Sequence, residues 1–192
     1  MAFDAATAIA DFEGRVTDLI GSVRLTVFVC GPAVMDASGT PSAEPGATVR
    51  RYVSERIEKE GHCYVWGEHL PSKGGGSKAT WIRRFDDANK EVMFAVHDKT
   101  DLVVIFPSSS GSLAELGAFC MHDQISPKLL IIFDKRLKGD KGFVVRALGK
   151  AARSRKATIR FQDYGRPKGV WAVVRKAIRD QRMLKTVSLS HA

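Results

Sequence analysis

DLVVIFPSSSGSLAELGAF, residues 101–119, decides the fold. Leu102 to Phe106 are apolar without interruption. A strand with one wet face would alternate, so this run predicts a strand covered on both faces. Pro107, three serines and Gly111 then break the chain. The residues after them, SLAELGAFCMHDQ (112–124), carry apolar side chains at helical spacing. KLLIIFD (128–134) repeats the fully apolar strand. Two such strands joined by a helix are the parallel unit of an α/β sheet.

The same alternation extends outward. RLTVFVC (24–30) predicts a strand running into a Gly-Pro turn, and HCYVWGEHL (62–70) a second strand. ATIRFQ (157–162) predicts a fifth. Helices are expected at 48–61, 79–100, 142–154 and 168–185, with an amphipathic helix over 3–20. The segments 36–47 and 71–78 are rich in Gly, Pro, Ser or Ala and predict loops, the first of them mobile. The expected fold is a doubly wound, Rossmann-like or flavodoxin-like parallel sheet of about five strands, with helices on both faces. Residues 1–192 are expected to form one domain, with the 1–22 helix appended and 135–185 as its basic C-terminal part.

No basic n-region or long apolar run opens the chain, so a cytoplasmic protein without a membrane segment is expected. Cys30, Cys63 and Cys120 are far apart and lack metal spacing, which predicts buried free thiols and no metal. The net charge of +9 is uneven. Residues 1–134 hold 13 basic and 18 acidic side chains; residues 135–192 hold 17 basic and 3 acidic. That excess points to an anionic partner such as RNA or DNA, contacted through Arg153, Arg155, Lys156, Arg175, Lys176 and Arg179, or else to a solvated basic face.

In doubly wound sheets ligands bind beyond the carboxyl ends of the strands. This selects Cys30, Gly31 and Pro32, then Trp66 and Glu68, then the turn Ser108, Ser109, Ser110, Gly111 and Ser112. The serine turn is expected to hold phosphate or a sugar through amides at a helix start. Trp66 offers a face for a base, and Asn89 and Glu91 a polar rim. Glu115 has two readings. Ser112-x-x-Glu115 matches a capping box, in which the glutamate is structural. Alternatively, a carboxylate in the first helical turn, kept ionised by the helix dipole, acts on a sugar carbon, with Glu68 as second carboxylate.

VFVCGP (27–32) together with the Gly111–Gly117 segment, GSLAELG, resembles the nucleoside deoxyribosyltransferase-like group. TIR-like and SLOG-like Rossmannoids share this layout. The string SGSLAELGAF is also similar to short effectors of antiphage systems, including retron-associated ones. The resemblance implies a hydrolase of N-glycosidic bonds acting on NAD⁺ or a (deoxy)nucleotide, with Glu115 acting at C1′ and no cofactor. It also implies partners of the retron type, RNA, DNA or a reverse transcriptase, and a homo-oligomer or larger complex. The alternatives are a nucleotide sensor without turnover and an effector restrained by bound nucleic acid.

Overall fold

The computed structural model describes residues 18, 20–36, 38–70, 87–142 and 144–189. The helix expected over 3–20, the glycine-rich loop 71–78 and the start of the 79–100 helix lie essentially outside them.

Five strands form one parallel sheet: β1 (Thr26–Cys30), β2 (Cys63–Val65), β3 (Leu102–Ile105), β4 (Leu129–Asp134) and β5 (Thr158–Gln162). Their order is β2-β1-β3-β4-β5. This is the flavodoxin-like doubly wound order, whose switch point lies between β1 and β3. The register Phe28↔Val103 and Val104↔Leu130 aligns the three central strands.

Helices cover both faces, and the strand pleat divides the core between them. Val27, Val29, Leu102, Val104 and Ile132 pack against α1 (Pro45–Lys59) and α5 (Pro167–Leu189). Phe28, Val103, Ile105, Ile131 and Phe133 turn the other way. They meet α2 (Asp87–Val96), α3 (Ser110–Cys120) and α4 (Gly149–Ser154). Both faces of β3 and β4 are therefore buried, which is why these strands show no alternation in the sequence.

Several elements depart from expectation. The second strand is only three residues long, because Gly67–His69 turns into a 3₁₀ helix. α1 starts at Pro45, three residues early, since proline suits the first helical position. Segment 36–47 is tied down rather than loose. Asp36 Oδ1 accepts the amides of Ser38 and Thr40 at 2.8 and 2.9 Å, and Met35 and Pro41 form a bridge. The 142–154 helix is broken into a π-helical turn at Val144–Leu148 followed by α4. Cys30 and Cys120 are buried free thiols, but Cys63 lies exposed on the edge strand. No helix among the described residues is long and apolar enough to cross a membrane.

Tyr164 joins the sheet to the helix that follows it. Its ring is buried edge-on to Phe106 and its hydroxyl donates to the Ile132 carbonyl. Tyr164→Phe should cost about 1–2 kcal/mol, because it strands a buried acceptor. Chemical denaturation would show this as a lower midpoint with an unchanged slope.

Candidate active site

The site grows from a buried arginine. Arg50 lies on α1 among Val49, Val53 and Ile57 and is 1% exposed. Its Nε and Nη2 donate to the Val29 carbonyl at 3.1 and 2.9 Å. Its Nη1 donates to the carbonyls of Gly31 and Pro32 at 3.1 and 2.9 Å. A fork to Glu68, 2.8 Å at each oxygen, completes the set. Arg50 thus holds the turn that leaves β1. Gly31 has φ +151°, and a β-carbon there would press on Phe106 and the Arg50 stem, so only glycine fits.

Trp66 braces this arrangement from the side. Its ring lies 5.5 Å from the Arg50 guanidinium carbon, and its Nε1 donates to Ser54 Oγ at 2.8 Å. Tyr64 and His69 pack on the same ring at 5.3 and 4.9 Å. The side chain expected to stack on a base is thus largely committed within the protein.

The serine turn is organised differently from the expected capping box. Ser109, not Ser112, is the N-cap of α3, and Ser112 is its reciprocal partner. Ser112 Oγ accepts the amides of Ser108 and Ser109 at 3.1 and 2.9 Å, and Ser109 Oγ accepts the Ser112 amide at 3.3 Å. The box is serine with serine, so capping leaves Glu115 unused. Three of the five amides expected to hold phosphate are satisfied internally, which leaves those of Ser110 and Gly111 at the helix start. Ser108 Oγ donates to Glu44 Oε1 at 2.9 Å, and a β-carbon on Gly46 would collide with that hydroxyl.

Glu115 therefore lies in the second turn of α3, and no acid occupies the first. Its side chain hydrogen-bonds that of Glu91 on α2, and its Oε2 is buried without a partner among the described residues. Burial, then the charge and hydrogen bond of Glu91, raise its pKa to about 8; Arg50 opposes the rise. The helix dipole does not keep it ionised, contrary to the sequence expectation. The shift favours the protonated form of Glu115 at neutral pH. Burial would also raise Glu68, but the Arg50 fork outweighs it and holds Glu68 low. Glu68 is thus a fixed anion, half exposed, and poorly suited to donate a proton.

Cys30 lies beneath these groups. Burial pushes its thiol well up, and Glu115, Glu91, Glu68 and Arg50 all act on it electrostatically. Five expected site residues thus converge at the carboxyl ends of β1 and β3: Cys30, Gly31, Glu68, Glu91 and Glu115. A β-carbon on Gly67 would strike the Glu91 carboxylate, so glycine leaves room for that side chain. Asn89 lies exposed on the same helix as Glu91. Arg50 was missed in the sequence, although a signal exists: it occupies the apolar stripe shared by Val53 and Ile57.

The six expected nucleic-acid contacts do not form one surface. Arg153 belongs to α4, with Arg155 and Lys156 just after it, on one face of the sheet; Arg175, Lys176 and Arg179 belong to α5 on the other. Arg155 pairs with Asp123, Arg175 with Glu60 and Lys176 with Asp180. No group of three or more His, Cys, Asp or Glu able to hold a metal occurs among the described residues.

The fold and site define a doubly wound α/β protein with paired carboxyls at its switch point. Residues 95–188, just under half of the chain, match the family described as STM3845 retron effector protein. That stretch includes Glu115 but not Glu91 or Glu68. Over 47 residues the chain is 36% identical to a retron Ec86 protein of Escherichia coli, whose name proposes it as a ribosyltransferase/DNA-binding protein. The aligned stretch covers 24% of this chain and 15% of that protein. Both comparisons support a retron-associated effector.

The raised pKa of Glu115 has a stability consequence. The folded state holds a proton that the unfolded chain releases near pH 4.5, so this stabilisation is complete below that pH and is lost as pH rises through about 8. Glu115→Gln should remove the dependence. Relative to wild type, the variant gains on the order of 1–2 kcal/mol between pH 5 and 8.5. Comparing the two proteins cancels His62, whose depressed pKa acts in both. Parallel stability curves across this range would show that Glu115 is not protonated in the fold.

Proposed function

We propose that this protein is a nucleotide N-glycosidase, cleaving the bond between a base and C1′ as a nucleotide-depleting effector in antiphage defence. The observation that carries this reading is the close pairing of the Glu115 and Glu91 carboxyls beside the switch-point crevice, with Glu115 Oε2 buried and Gly67 leaving room for Glu91. Breaking a C1′–N bond makes two demands. A neutral purine or pyrimidine leaves with the bonding electrons and needs a proton. The sugar carbon becomes cation-like and needs a nearby anion. A carboxyl pair holding one proton meets both demands.

As the bond breaks, the shared proton passes from Glu115 through Glu91 to the departing base. Glu115 is left ionised next to C1′. Water then adds to C1′ and returns a proton to the pair. The fixed Glu68 anion suits acceptance of a sugar hydroxyl, and the amides of Ser110 and Gly111 suit the phosphate. The name of the Ec86 relative, which proposes ribosyl transfer, agrees with chemistry at a ribosyl C1′.

Glu115→Gln and Glu91→Gln should each lower base release by about 100-fold or more while keeping the fold. Chromatography of free base from a panel of nucleotides and NAD⁺ is the measurement. Release from neutral-base nucleotides should fall above about pH 8, as the pair loses its proton. The positively charged nicotinamide of NAD⁺ leaves without protonation, so a rate that climbs toward pH 8 would instead mark NAD⁺ as the substrate. Thermal stabilisation by nucleotides with no base released at any pH would make the protein a sensor.

An anionic macromolecular partner is proposed at a surface that keeps only Arg153 of the six expected contacts. Arg146, Lys150 and Arg153 line one groove with the partly buried Ile159 and Phe161, and Lys138 and Arg160 line its neighbour along β5, the sheet edge. Single-stranded DNA or RNA should bind there with affinity that falls steeply as salt rises. Lys150→Glu with Arg153→Glu should weaken binding at every salt concentration. Binding unchanged in that variant would move the contact to α5.

A further inference from the structure

A cavity opens on the other flank of the serine turn from the carboxyl pair. It measures about 540 Å³. This is within the size range of small-molecule sites. Leu113 and Glu115 are two residues apart on α3, so they point about 200° apart around the helix. Leu113 lines the cavity while Glu115 meets Glu91, and neither carboxyl of that pair borders it. The cavity is therefore separate from the proposed cleavage site, and the argument for it stands independently.

Its chemistry is uneven in a way that selects a ligand. Pro107, Leu113, Leu137, Val144 and Val145 supply hydrocarbon walls. The charged groups at the rim and floor are Glu44, Asp134 and Asp140, against Arg136. Arg136 is already engaged, because its Nη2 donates to Asp134 Oδ2 at 2.8 Å and its amide to Oδ1 at 2.9 Å. That ion pair holds the Asp134 carboxyl below its ordinary range, led by the Arg136 hydrogen bond. Glu44 has one oxygen on Ser108 and a second available to a ligand donor. The remaining field is negative, which repels phosphate. Apolar walls with carboxylate acceptors favour a flat ring that carries an amino group.

We propose that this cavity is a second ligand site, which binds a phosphate-free, amino-bearing heterocycle of nucleoside size. The nucleotide consumed at the carboxyl pair and the ligand held here differ in their phosphate, so one molecule does not serve both sites equally.

The test is titration calorimetry with adenosine, AMP and spermidine on the full chain. Adenosine should bind, AMP should bind about tenfold more weakly or worse, and spermidine should not compete. Val145→Trp fills the cavity and should weaken adenosine about tenfold or more. Glu115→Gln should leave adenosine binding unchanged. If Val145→Trp does not fold, Glu44→Gln decides: it keeps the hydrogen bond with Ser108, removes a charge and should narrow the gap between adenosine and AMP. The proposal fails if AMP binds as tightly as adenosine, if spermidine displaces adenosine, or if a folded Val145→Trp protein still binds. It fails also if Glu44→Gln leaves the gap unchanged, if adenosine binding is lost in Glu115→Gln, or if no binding occurs at millimolar adenosine.

Discussion

The guanidinium of Arg50 is the contact on which the site depends. Burying a lone cation is prohibitive unless every donor finds an acceptor. Here three backbone carbonyls around the end of β1 and both oxygens of Glu68 do so. The consequence is geometric as well as energetic. The turn after β1 cannot move without stranding a charge, so Gly31 and Pro32 are fixed relative to α1. Because β1 is central and pairs with β3 in register, the start of α3 is fixed too.

The same arginine divides three nearby carboxyls into different roles. Glu68 faces it directly and is held as an anion. Glu115 feels it only weakly, is more deeply buried, and faces Glu91 instead. Two carboxyls with pKa values pushed apart by their surroundings are the ordinary physical basis for separating acid from anion in one site. Arg50 is thus neutralised by Glu68, and the Glu115–Glu91 pair is left to a buried setting that favours the protonated form of Glu115.

The sheet was legible because burial on both faces forces continuous apolar runs, and VVIF and LLIIF can be little else. The strand-end rule placed Cys30, Gly31 and Glu68 once the strands were set, whereas Glu91 and Glu115 lie on helices and join them through packing between helices. What was not legible depends on contacts between distant segments. Whether Glu115 is a cap or a free carboxyl turns on where α3 begins, and a shift of three residues, from Ser112 to Ser109, reverses the answer. Four serines in one short stretch offer several caps of similar quality, so the pattern alone has no means of choosing. The ionisation of Glu115 was misjudged for the same reason. A dipole argument assumes the first turn and solvent nearby, whereas the side chain is one turn deeper and beside another carboxyl.

Charge shows the opposite limit. Counting located the basic excess in the last third of the chain, but composition carries no information about direction. α4 and α5 both contribute basic side chains, yet they cover opposite faces of the sheet, and α5 spends Arg175, Lys176 and Arg182 on Glu60, Asp180 and the Ile20 carbonyl. The Glu60 pair arises because α5 packs beside α1, while Lys176 and Asp180 meet one turn apart within α5 itself. The π-helical turn and the start of α4 leave Arg146 and Lys150 lining the groove beside β5, with no acid paired to either among the described residues. A cationic side chain marks an anion-binding surface only after the acids within its reach are subtracted, and that subtraction needs the fold.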